Sequence, residues 1–298
     1  MHRPGRGAGL AMAMEITPLS DVLGAEVTGL DLKKDLDAGA ITALNAALAE
    51  HIVVCVRDQN MDADEFLDVT ARFGKLMTHT NKHLVDNDRP ALNWITSEDR
   101  DIHGSGKVVY RGATWHTDHS YMPVPPKATV LYAVTVPKSG GDTSFCNLRK
   151  AYAALSDETK QKLDGLRALH VYRSSRSPRK TFIALSEEEK KTTPETEQPL
   201  VRFHVEAEAP NLFLSTTRLE CIVGLPREES DALLDELFAH ADDPQFHYDH
   251  KWQTGDYVMW DDRSSMHHAN PDWVEGEKRF LYRTMVEGEK PVLAELET

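Results

Sequence analysis

The chain has 298 residues, 40% hydrophobic and 28% charged, and a formal net charge of −14. This composition excludes a mostly disordered chain, and the acidity excludes a large nucleic-acid footprint or an anionic membrane surface while leaving room for a local arginine cluster on a small anion. Cys55, Cys146 and Cys221 lie far apart with no CxxC spacing, and no apolar run reaches the length of a membrane span, so a cytoplasmic protein without disulfides is expected.

Residues 1–13 are rich in Arg, Gly and Ala and read as a loose extension. Residues 14–298 read as one domain, because no repeat or low-complexity linker divides them. Residues 22–32 look like a strand with turns. Ile41, Leu44 and Leu48 recur at helical spacing, and Ile52 to Val56 is a continuous apolar run of β type. Asp62 and Glu65 form a capping-box pattern that predicts a helix through Phe73. Beyond residue 80, short β-like runs dominate: Ala128–Val136, Leu200–His204, Leu212–Ser215, Tyr257–Met259 and Phe280–Val286. Two clear helices interrupt them, one from near Ser156 and one from near Arg227 to about His240. Many short strands with few long helices predict a mainly β fold with flanking helices, a sandwich or barrel of the jelly-roll kind. The polar stretch 173–199 reads either as a solvated loop or as a lid over a site.

Fourteen histidines supply many chance metal patterns. In a strand, residues i and i+2 face the same side, so His-x-Asp can present two ligands to one ion. A non-haem iron site needs two His and one carboxylate with positions left open. Three such triplets occur: His116–Asp118, His240–Asp242 and His247–Asp249. His240 ends an amphipathic helix, where the helix dipole explains it. His247-Tyr-Asp249 lies in a polar, strand-like stretch and reads as an exposed strand face; as a hydrolytic metal site it lacks a general base at a defined spacing. His116-Thr-Asp118 follows Trp115 where an apolar wall turns into a loop, which suits an open site, although a hydrogen-bonded core histidine is the plain alternative. Adjacent His267 and His268 face opposite ways on a strand, so only one of them suits a metal. Arg279 and Arg283, four apart in a β-like run, share a face and read either as anion-binding groups or as partners of Glu275, Glu277 or Glu287.

Trp115-His-Thr-Asp118, Gly140-Gly-Asp-Thr143 and Trp260-Asp-Asp-Arg263 to His267, followed by Arg279 and Arg283, resemble the taurine dioxygenase / 2,4-dichlorophenoxyacetate dioxygenase family, from Ile16 through Pro291. The resemblance implies a distorted, cupin-like jelly roll (a double-stranded β-helix) and an enzyme that uses Fe(II), 2-oxoglutarate and O2. It implies His116, Asp118 and His267 as metal ligands, with His268 turned outward. It implies Thr143 and Arg279 on the distal carboxylate of 2-oxoglutarate. Arg283 matches the arginine that grips the substrate's acidic group, and His79 matches a histidine that helps hold it.

Three positions depart from the family. Asp262 stands where Asn is usual. Lys82 replaces a substrate-contacting Tyr of the taurine enzyme, and Gly112 replaces an Asn. The last two remove the amine-recognising side of a taurine pocket; Gly112 frees space, and Lys82 adds positive charge to the substrate site if it points inward. The expected substrate is therefore a small organic acid with an apolar body, hydroxylated next to its anionic head, with a lean towards aryloxyalkanoate ether cleavage. A sulfonate or alkyl sulfate dioxygenase is the alternative within the class. A non-catalytic metal-binding jelly roll, needing the triad but not Thr143 and the two arginines, is the alternative outside it. A homo-oligomer is expected, with no nucleic-acid or membrane partner.

Overall fold

A computed structural model describes residues 14–79, 85–100, 108–179 and 187–295. Lys82 and the extension 1–13 lie outside these residues. The centre is a seven-stranded sheet, in spatial order Glu15–Pro18, Ala25–Thr28, Val53–Val56, Tyr257–Asp261, Pro126–Thr135, Phe280–Glu287 and Asn93–Thr96. Its pairings are antiparallel except that of Ala25–Thr28 with Val53–Val56. A second sheet places Thr143–Asn147 between His247–His250 and Ser265–Ala269. Two more three-stranded sheets complete a jelly roll: Val201–His204 between Ala209–Leu212 and Val292–Leu293, and Arg167–His170 between Leu219–Ile222 and Thr196–Pro199.

Alternation along the central strands creates two apolar layers. Val54, Val56, Tyr257 and Met259 face outward and pack under Leu44, Leu48, Phe66 and Val69 of the helices Ala38–His51 and Ala63–Ala71. Val53, Cys55, Val258 and Trp260 face inward and meet Phe145 and Trp252. Trp260 is 1% exposed, a burial worth about 3 kcal/mol. A third apolar cluster joins Leu233, Leu234 and Leu237 of the helix Arg227–Ala241 to Cys146, Leu219 and Met266.

The helix Ala63–Ala71 starts with the expected capping box: Asp62 accepts from the Glu65 N–H and Glu65 accepts from the Asp62 N–H. Ser156 caps Asp157–Leu163. Other boundaries differ from expectation. Ile52 does not open the strand; it caps the preceding helix at φ 70, with its N–H on the Leu48 carbonyl. The Leu212–Ser215 run is displaced: the strand is Ala209–Leu212, because its register is set by antiparallel pairing with Val201–His204. Arg279 lies just before its strand rather than within it. Beyond residue 80, the short helices Leu148–Ala153 and Glu187–Lys191 add to the two expected ones.

The stretch 173–199 is partly built into the wall. Ser174 Oγ donates to the Leu219 carbonyl, and Arg176 pairs with Asp231 and Asp235 of the long helix. At its far end Thr196–Pro199 is a sheet strand, and Gln198 donates to the carbonyls of Ser120 and Met122. Residues 180–186 lie outside the described residues. Among the described residues, no helix is long and apolar enough to cross a membrane.

Candidate active site

A cavity of about 370 Å³ opens inside the roll. Two of its lining residues, His116 and His267, are joined by a pair of backbone hydrogen bonds. The His116 N–H donates to the His267 carbonyl (3.0 Å) and the His267 N–H to the His116 carbonyl (2.9 Å), which joins the loop before Pro126–Thr135 to Ser265–Ala269. The two rings then lie side by side, 4.3 Å between centroids. Asp118 completes the group: its carboxylate oxygens lie 3.8 Å from His116 Nε2 and 3.7 Å from His267 Nε2. These separations are too long for hydrogen bonds but suit neighbouring donors on one small ion.

The electrostatics point the same way. Burial, then the neighbouring His267, keeps His116 well below its ordinary range, and burial brings His267 down to about 4. Both rings are therefore neutral near pH 7. His116 Nδ1 lies 2.7 Å from the Thr114 carbonyl, which puts the proton on Nδ1 and turns the Nε2 lone pair towards Asp118. Burial alone would raise Asp118, but Arg283 and the two histidines outweigh it and hold the carboxyl well below the usual range. The Arg283 guanidinium lies 2.7 Å from Asp118 Oδ2.

The other triplets are absorbed in structural contacts. His240 Nε2 bonds the Ala151 carbonyl and His247 Nε2 the Ala241 carbonyl. Asp242 accepts from Trp115 Nε1 and Asp249 from the Ser144 hydroxyl. His268 points away and its ring packs edge-on against Trp115.

Thr143 and Arg279 line the cavity beyond His267. Thr143 Oγ1 accepts from Trp252 Nε1 (3.0 Å), so its own hydroxyl proton is available to a ligand. Arg279 donates Nε–H to the Gly141 carbonyl (3.2 Å), and its guanidinium sits between Trp252 and Trp273. Burial lowers it to about 10, still charged at neutral pH. Gly141 is required here: at φ +74, a Cβ would lie 3.4 Å from Arg279 Cδ and 3.3 Å from the Trp273 ring.

His79 lines the cavity, edge-on to His119 at 5.0 Å. Burial, then His119 and Arg283, keeps it well below its ordinary range. It offers a hydrogen bond, not the positive charge that a protonated ring would supply. Gly112 lines the cavity beside His116. At φ +76 it lies in the left-handed region that favours glycine, and a Cβ there would rest 3.4 Å from His116 Cε1, an ordinary contact.

Sequence reasoning missed Arg111, His119, Tyr172, Arg179 and Arg218, all on the cavity wall. Only the positive φ of His119 (43°), directly after Asp118, marks a strained site residue, and no sequence pattern announces it.

The comparison with known proteins decides the family. A family model described as "Taurine catabolism dioxygenase TauD, TfdA family" matches residues 15–285. The chain belongs to this family. It is a dioxygenase that uses Fe(II), 2-oxoglutarate and O2. It is similar to an (S)-phenoxypropionate/alpha-ketoglutarate-dioxygenase of Sphingobium herbicidovorans, 32% identical over 94% of this chain and 97% of the relative. It is similar to an alpha-ketoglutarate-dependent 2,4-dichlorophenoxyacetate dioxygenase of Cupriavidus pinatubonensis, 33% identical over 86% of this chain and 92% of the relative. The crystal structure of AAD-2 in complex with Mn(II) and N-oxalylglycine superposes with a TM-score of 0.79 at 30% identity, covering 95% of this chain and 100% of that one.

Proposed function

We propose that this member hydroxylates an organic acid at the carbon next to its anionic head, with aryloxyalkanoates as the leading substrate class. His116, Asp118 and His267 hold the metal. The observation that carries this reading is the convergence of three deprotonated ligands with a buried arginine, Arg279, that has no carboxylate partner among the described residues. Neutral imidazoles and an ionised carboxylate suit Fe(II), and three protein ligands leave positions free for other groups. When bound, Fe(II) and 2-oxoglutarate supply oxidative hydroxylation of a C–H bond, with succinate and CO2 as co-products.

The chain's own residues orient and select. Arg279 meets the distal carboxylate of 2-oxoglutarate with a planar fork, and the Thr143 hydroxyl donates to the same group. Arg283, whose guanidinium lies beside Asp118, serves the substrate's acidic head, and neutral His79 adds a hydrogen bond. Trp260, Leu131 and Ile95 make the wall apolar and keep water away from the reacting carbon. A hydroxylated carbon that also bears an ether oxygen is a hemiacetal and collapses, so an aryloxyacetate yields a phenol and glyoxylate. The phenoxypropionate and dichlorophenoxyacetate relatives support this lean.

The test is a panel of aryloxyacetates, aryloxypropionates, sulfonates including taurine, and alkyl sulfates with Fe(II), 2-oxoglutarate and ascorbate, followed by succinate and phenol release. Aryloxyalkanoates are expected to show the highest kcat/KM. Taurine turning over faster than every aryloxyalkanoate would overturn the substrate reading.

A further inference from the structure

The cavity wall carries more positive charge than the roles assigned so far use. Arg111, Arg179, Arg218, Arg279 and Arg283 line it, against the single carboxylate of Asp118. Arg111 is paired with Asp99 and Arg283 with Asp118. Arg279 serves the cosubstrate in the reading above. Arg179 and Arg218 remain, and among the described residues no carboxylate forms an ion pair with either.

Both are held for a ligand rather than left in solvent. Arg218 stacks on two rings, 4.7 Å from the Tyr172 centroid and 5.1 Å from that of Tyr121, and donates to the Tyr172 carbonyl. Stacking fixes the plane of the guanidinium and aims its edge. Its Nε is buried without a hydrogen-bond partner. Burial, then the neighbouring Arg218, lowers Arg179 to about 10, so Arg179 stays charged at neutral pH beside a second guanidinium. Two adjacent, poorly hydrated cations are costly until an anion bridges them.

Their origin in the fold separates them from the inner arginine. Arg283 belongs to the seven-stranded sheet. Arg218 sits in the turn just before Leu219–Ile222, and Arg179 lies nine residues beyond Arg167–His170; these two strands pair in a different sheet. The cavity therefore has cationic groups on two walls.

We propose that Arg179 and Arg218 form a second anion subsite, and that the substrate is an organic dianion. Its body carries a carboxylate, sulfonate or sulfate at the end away from the carbon to be hydroxylated. This inference rests on the proposed function and narrows its substrate class: an aryloxyalkanoate with an acidic ring substituent fits, and a simple phenoxyacetate leaves the outer arginines unpaired.

The experiment is anaerobic calorimetry on the full chain loaded with Mn(II) and 2-oxoglutarate. Two matched pairs serve as probes: phenoxyacetate with 4-carboxyphenoxyacetate, and hexyl sulfate with 6-sulfooxyhexanoate. The dianion of each pair is expected to bind about 10-fold tighter or more at low salt, as for a charge-assisted contact, with the advantage shrinking as salt is raised. Arg179→Gln and Arg218→Gln should each reduce that ratio towards one, and Arg218→Lys should restore part of it. Equal binding of monoanion and dianion by the unaltered protein would overturn the proposal. So would an Arg179→Gln loss that is the same for both members of a pair, since the pair would then be gripping the single head. The 2-oxoglutarate titration that precedes each run separates the failures. No cosubstrate binding would take down the underlying reading as well, whereas normal cosubstrate binding with no dianion preference removes only the subsite.

Discussion

At the scale of single residues, three His-x-Asp triplets are equivalent as sequence and differ in what their atoms already touch. His116→Ala and Asp118→Ala are expected to abolish high-affinity Mn(II) or Fe(II) binding, measured anaerobically by calorimetry. His240→Ala and His247→Ala should leave it nearly intact, because those rings bond backbone carbonyls. Iron loss in His247→Ala alone would refute the assignment. Asp262 illustrates a different constraint. The Thr129 hydroxyl lies 2.9 Å from Asp118 Oδ2 and 2.7 Å from Asp262 Oδ2, yet it has one proton to give. Asp118, ionised beside Arg283, takes that proton, so Asp262 must carry its own and donate to Thr129. Burial, then the nearby Asp118, accordingly pushes Asp262 well above the ordinary carboxylate range. The folded state thus binds more protons than the unfolded one above about pH 4, and stability falls as pH rises through that window. Asp262→Asn, whose amide always donates, should remove this loss. The Tm advantage of the metal-free variant should be small near pH 4 and grow towards pH 8, at about 1.4 kcal/mol for each unit of displacement. An advantage that shrinks with rising pH would show that Asp262 is ionised.

At the scale of elements, the turn that delivers His267 is held by a buried ion network. Asp261 accepts from the Arg263 N–H and guanidinium and from His204, while Arg263 also reaches Glu206 and Glu289. Arg263→Gln leaves buried Asp261 with His204 and the residue-263 backbone N–H but without its guanidinium, and should cost about 3–5 kcal/mol in denaturant unfolding; a cost under about 1 kcal/mol would mean that the network does not hold the turn. The Trp260 to Arg263 motif was visible in the sequence as a signature, but its role in fixing the turn was not. Helix starts were readable wherever a side chain closes the first turn within three residues, as at Asp62 and Ser156. Thr143–Asn147 was not. It is buried along its whole length yet rich in polar side chains, whose needs are met at a distance by Trp252, Asp249 and the Val22 carbonyl. Apolar periodicity cannot find such a strand, because its partners lie as far as 125 residues away. The same reason hid Arg179 and Arg218: neither belongs to a motif, and only the pairing of Leu219–Ile222 with Arg167–His170 brings their segments together. His116, Asp118, His267, Thr143, Arg279 and Arg283 could be singled out because family motifs carry them.

At the scale of the whole molecule, the loop before Pro126–Thr135 meets the second sheet at the His116–His267 bridge, so a ligand bound there couples to global stability. A species that binds only the folded state stabilises it by about 2.7 kcal/mol at 100 times its Kd. Metal bound at the proposed ligands His116, Asp118 and His267 would tie the loop before Pro126–Thr135 to the second sheet. Mn(II) alone should therefore raise Tm, and 2-oxoglutarate should raise it further only when the metal is present, since the ion would hold the cosubstrate together with Thr143 and Arg279. Arg279→Ala separates the increments: the metal increment should survive, while the 2-oxoglutarate increment should nearly vanish at cosubstrate concentrations that saturate the unaltered protein. Arg283→Ala should retain both increments and lose the further rise given by the primary substrate. It should also weaken metal binding at acid pH, because removing the guanidinium beside Asp118 lets that carboxyl take up a proton more readily. Scanning fluorimetry of the three proteins with each ligand combination checks the scheme. A 2-oxoglutarate increment that persists in Arg279→Ala and disappears in Arg283→Ala would exchange the two roles and move the cosubstrate to the opposite side of the triad.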